Sequence, residues 1–133
     1  MLLSSPLPRL RRLRSTLSND RTSCYTAAEV RSLLDPRADG STARGAPVLA
    51  AAAVPSGWTA YLGQGEAAEL GQAAGRLPTI LFWHRAGHSA DEIGRRLGLF
   101  GGSRRAERAL EVAAGCIAAR LNDHGQAAVR GAA

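Results

Sequence analysis

The sequence predicts a small all-α domain, and three observations carry that prediction. Thr26 stands three residues before Glu29, and Ser89 three before Glu92; each pair opens a stretch with apolar residues at helical spacing. This is the signature of a capped helix start, in which the hydroxyl accepts from an orphan backbone N–H. Further along, Ala106, Ala109, Leu110, Ala113 and Ile117 recur at the three- and four-residue steps of one helix face.

Taken in order, residues 1–23 read as a flexible basic arm. Pro6 and Pro8 discourage a helix at the start, and Arg9, Arg11, Arg12, Arg14 and Arg21 repel one another. An arm that reaches DNA phosphates or the minor groove, an arginine-rich transit peptide and a solvated tail all fit; the arm or tail is preferred. No apolar run follows the arginines, which argues against a secretory signal.

Residues 26–34 form a short helix with Ala27, Val30, Leu33 and Leu34 on its apolar positions. Asp35-Pro36, Asp39-Gly40-Ser41 and Gly45-Ala46-Pro47 make 35–47 a loop. Residues 48–54 suit a short helix or strand that Pro55-Ser56-Gly57 ends, and Trp58, Tyr61 and Leu62 anchor a small core. Glu66 to Gly75 reads as an alanine-rich helix. Pro78 suits the first turn of a helix over 78–86. Ile80, Leu81, Phe82 and Trp83 make that helix apolar nearly all round, so it is expected to be buried, with Trp83 as a packing residue.

Residues 87–110 carry the most specific signal: helix, tight turn, helix. Ser89 caps, and Asp91 and Glu92 suit the positive end of the helix dipole. Ile93 and Leu97 share one face. Gly94 is small where a second helix crosses, and Gly98 ends the helix in a left-handed conformation. Ser103 is expected to cap the next helix, with Arg104, Arg105 and Arg108 pointing away from its apolar stripe. That helix runs to about Leu121, where Asn122-Asp123-His124-Gly125 stops it.

The run Gly87-x-Ser89-x-x-Glu92-Ile93-Gly94-x-x-Leu97-Gly98 resembles the first half of the helix-turn-helix in bacterial repressors, sigma-like domains and the DNA-binding domains of invertases and transposases. The resemblance spans residues 78–121 at most. It implies a supporting helix at 90–97 and a recognition helix from 104. The connection is about two residues longer than usual, supplied by Phe100-Gly101-Gly102-Ser103.

All 17 basic residues are arginine, which with the alanine and glycine bias suggests a high-GC genome such as an actinobacterium or one of its phages. The net charge of +6 is uneven: residues 1–21 carry +4, residues 22–75 carry −2, residues 76–108 carry +4, and the remainder is neutral. Basic charge thus coincides with the helix pair, which supports a polyanionic partner. Aromatics are only 5%, so the core is small and a homodimer is a plausible source of further burial.

Cys24 and Cys116 match no metal or redox spacing and read as free thiols in a reducing cytoplasm. No apolar run reaches membrane-spanning length. His84 and His88 are four apart, but Gly87 interrupts and no third ligand has suitable spacing, so no metal site is expected. No nucleophile–base pairing and no phosphate-cradling glycine loop stands in the chain. Neither an enzyme nor a cofactor is expected. Ala132-Ala133 resembles the tags read by bacterial AAA+ proteases, although coincidence is the stronger explanation in so alanine-rich a chain.

The expected organisation is an arm at 1–23, a helical or irregular region at 24–65, a helix-turn-helix DNA-binding domain at 66–124 and a flexible tail at 125–133. The expected function is sequence-specific binding of double-stranded DNA by a bacterial or phage repressor that occludes an operator. Arg104, Arg105 and Arg108 would read bases and phosphates. Ser89, Ser103, Arg95 and Arg96 would fix the backbone. Arg9, Arg11, Arg12 and Arg14 would add affinity. A recombination-associated DNA-binding protein and a protein-interaction adaptor are the alternatives.

Overall fold

A computed structural model describes residues 24–132, with side chains as far as residue 125. The basic arm with Arg9, Arg11, Arg12, Arg14 and Arg21, and the terminal Ala133, lie outside the described residues.

Every regular element among the described residues is helical. The order is α1 (Ala27–Leu33), α2 (Gly45–Ala52), α3 (Pro55–Trp58), a 3₁₀ turn (Thr59–Tyr61), α4 (Gln64–Leu70), a second 3₁₀ stretch (Gly71–Arg76), α5 (Leu77–Arg85), α6 (Ala90–Arg96) and α7 (Gly102–Ala132). The all-α expectation is therefore met. Helix α2 begins at Gly45, inside the stretch expected to be a loop, and takes in residues 48–52 of the 48–54 segment, while Pro55-Ser56-Gly57 begins a new helical turn rather than only closing the last. The predicted helix at 66–75 divides at Gly71, whose φ of +60° breaks the α-helical path.

The shorter helices pack around α7, the central element. Between Ala106 and Ala118 it buries nine residues, five of them alanine. Small side chains on so many sides let α1, α2, α5 and α6 approach its backbone closely. Val30, Leu34, Val48 and Trp58 from the first half of the chain join Ile80, Ile93, Leu110 and Ile117 in one continuous core. No polar or charged side chain of the described residues is buried in it. Trp58 is fully buried, and its indole N–H donates to the Ala52 carbonyl at 3.3 Å.

Three further expectations need correction. First, α5 is not buried all round: Leu77, Ile80 and Leu81 point inward, while Phe82 is 70% exposed and Trp83 is half-buried. Apolar composition overstated its burial because only the i, i+3, i+4 face meets the core. Secondly, Asn122-Asp123-His124-Gly125 does not stop α7, which continues to Ala132. Asn122 spends its side chain on another segment: its Oδ1 accepts from the Tyr25 N–H at 2.7 Å and its Nδ2 donates to the Tyr25 carbonyl at 2.9 Å. Asp123 accepts from the Tyr61 hydroxyl at 2.6 Å. Neither is left to compete for the helix backbone. Thirdly, α7 begins at Gly102, so Ser103 lies within its first turn, exposed, and is not the residue before the helix.

Candidate nucleic-acid interface

The Ser89 hydroxyl accepts from the Glu92 N–H at 3.1 Å, as its position predicts. The reciprocal half of a capping box does not form. The Glu92 carboxylate turns to His88 Nδ1 at 3.0 Å and to Arg96 at 3.2 Å instead. His88 thereby holds the Glu92 carboxyl below its usual range.

The end of α6 closes in a left-handed glycine turn. Gly98, at φ +62°, donates to the Arg95 carbonyl at 3.2 Å, and Leu99 donates to the Gly94 carbonyl at 2.9 Å. These two bonds satisfy carbonyls that the helix end would otherwise leave bare. Leu99 is buried beyond the turn, while Phe100 at its tip is 81% exposed.

Chain reversal then brings α7 onto α6 at Gly94. A Cβ there would stand 2.5 Å from the Gly102 carbonyl carbon and 2.9 Å from its Cα, so only glycine fits. The small residue expected at a helix crossing is present for that reason.

The predicted arginines divide into two groups around this crossing. Arg95 and Arg96 on α6 and Arg104 on α7 are exposed. Arg95 pairs loosely with Asp91 at 3.5 Å. The Arg96 guanidinium lies 5.1 Å from the centroid of Trp83, whose ring is in turn 4.7 Å from that of His88. Arg104 makes no ion pair among the described residues.

Arg105 and Arg108 are turned back onto α4. Arg108 grips the Glu69 carboxylate with two nitrogens, at 2.8 and 3.1 Å, and reaches Glu111 at 3.2 Å. Arg105 donates to the Glu69 backbone carbonyl and to that of Phe100. The fork-on-carboxylate geometry raises the Arg108 pKa and lowers that of Glu69. The outward-pointing triplet expected from sequence is thus a single outward arginine followed by two that clamp a neighbouring helix. Glu69 lies 39 residues from Arg108, a separation at which no local sequence pattern announces the contact.

Between Ala106 and Ala118 the exposed residues of α7 are Glu107 and Glu111. Between Gly102 and Ala118 the first turn is therefore the part of this helix open to a large anionic ligand, next to Arg95 and Arg96. Phe100 was not foreseen; an aromatic between Leu99 and Gly101-Gly102 is the one local hint of an exposed apolar tip.

The two histidines of the possible metal pair face different partners: His84 Nε2 is 3.2 Å from Arg31, and His88 is held by Glu92. Burial, with Arg31 adding, lowers the His84 pKa below its ordinary 6.5. No group of three or more His, Cys, Asp or Glu side chains converges as a metal site among the described residues. Both cysteines are free, Cys24 exposed and Cys116 buried, and burial pushes the Cys116 thiol up to about 11. None of the described helices is long and apolar enough to cross a membrane.

No protein-family model, curated protein or solved structure matches this chain.

Proposed function

We propose that this chain is a sequence-specific double-stranded DNA-binding regulator that acts by occluding an operator. The observation that carries the reading is the Gly94–Gly102 crossing, with Arg95, Arg96 and Arg104 exposed within two residues of it. A helix pair locked at its backbone is a rigid support, and the first turn of its second helix is the part that meets base edges in helix-turn-helix complexes. Arg104 takes the base-reading role, since a bidentate arginine on guanine is the commonest specific pairing. Arg95, Arg96 and the Ser89 hydroxyl take phosphates. Arg105 and Arg108 serve the domain first, and reach DNA only if α4 releases them. A homodimer, binding half-sites about one helical turn apart, and an origin in a bacterium or its phage belong to the same proposal.

Selection from a randomised duplex library at about 150 mM salt tests this reading, because a chain of net charge +6 binds any duplex when screening is weak. Enrichment of one motif, and its loss with Arg104→Ala, is the expected result. Enrichment of nothing overturns it. The exposed Phe100 beside the same arginines favours one second reading, a protein-interaction adaptor whose tip inserts into an acidic, apolar-centred partner.

A further inference from the structure

An apolar groove opens between the last turn of α2, the start of α3 and one side of α5. It is a cavity of about 290 Å³ whose lining is mostly apolar, with Leu49, Ala52, Ala53, Leu81 and Phe82, and includes one charged residue, Arg85. Phe82 is 70% exposed there, and the neighbouring Val54 50%. Phe82 and Val54 thus leave apolar side chains open beside the groove.

The described chain begins close to this groove. The Arg44 guanidinium donates to the Cys24 carbonyl at 2.8 Å, and Arg44 immediately precedes α2. The groove is built on the last turn of the same helix. The eight residues of α2 span about 12 Å, and the Arg44 side chain that reaches Cys24 adds its own length to the path, so the groove lies within about 20 Å of Cys24. In the segment before Cys24, Leu10, Leu13 and Leu17 fall at the i, i+3, i+7 spacing of one helix face, while Arg9, Arg11 and Arg12 occupy other positions. Arg9 and Arg14 fall at the two edges of that face. Seven residue steps separate Leu17 from Cys24, enough to reach about 23 Å when extended. That exceeds the distance required.

We propose that the leucine face of residues 10–17 docks, within the same chain, into the groove between α2, α3 and α5. The docking covers Phe82 and leaves Arg11 and Arg12 facing solvent. It does not depend on the DNA-binding reading.

The test uses the full chain with Cys24→Ser and a nitroxide on Arg12→Cys, since the buried Cys116 escapes labelling. Amide resonances of Ala52, Ala53 and Phe82 should broaden selectively without DNA. Phe82→Asp, at a largely exposed position, should abolish the broadening, and so should Leu10→Asp with Leu17→Asp, which leaves the described core untouched. Absence of selective broadening, or its survival in both variants, overturns the proposal. Broadening seen only between labelled and unlabelled copies assigns the groove to a second chain and also overturns it. So does broadening that appears only after vesicles of anionic lipid are added.

Discussion

The two regions that α7 joins are held by different physics. Near its start, α7 meets α6 backbone to backbone at Gly94 and Gly102, with no side chain between them. Toward residues 122 and 123 it is clasped by polar side chains, Asn122 on the Tyr25 backbone and Asp123 on the Tyr61 hydroxyl. The first contact fails sharply, because a single methyl group has nowhere to go. The second fails gradually, because water can replace each hydrogen bond in part. Intolerance of substitution is thus concentrated beside the exposed arginines.

The largest expected effect comes from breaking the first contact. Gly94→Ala should cost about 3 kcal/mol by overpacking. The unfolding temperature should fall by more than about 10 °C in calorimetry. A variant as stable as the native chain would mean that α6 and α7 part without cost. Next, Arg104→Ala should weaken binding to a selected duplex at least about tenfold while changing affinity for random duplex much less, as read by fluorescence anisotropy at matched salt. Equal losses on both would make Arg104 a phosphate contact. Asn122→Ala should cost about 1–2 kcal/mol in urea unfolding, since it strips both hydrogen bonds from the Tyr25 backbone.

Two smaller effects sharpen the comparison. Glu69→Gln should release Arg108 and tighten duplex binding by about fivefold, with little change in unfolding temperature. Unchanged affinity would confine Arg108 to a structural role. Finally, His84 has a folded-state pKa below its ordinary 6.5. Above that value both folded and unfolded chains hold it neutral. As pH falls through 6.5 the unfolded chain gains the proton first, so stability declines down to the folded pKa. His84→Gln should flatten this part of a plot of unfolding temperature against pH, above the range in which the carboxylates titrate.

The elements legible in the sequence were those whose signal is local. Ser89, Gly94 and Gly98 could be read because a cap, a close crossing and a left-handed turn each restrict residue type at one position. Phe82 misled, because apolar composition says nothing about which helix face meets the core. Asn122 misled for a related reason: its usual helix-ending chemistry is redirected to Tyr25, 97 residues away. The same holds at the candidate site. Arg105 and Arg108 were visible as charge, but their partner Glu69 becomes a neighbour only after α4 folds against α7.

The alanine-lined middle of α7 has a consequence for how the molecule opens. Helices from both halves of the chain rest on the same stretch, Ala106 to Ala118, so neither half retains its core if the other leaves. Amide hydrogens along it should therefore exchange only through global unfolding, as one protected class, while those of the 3₁₀ stretch at 71–76 exchange by smaller, independent fluctuations.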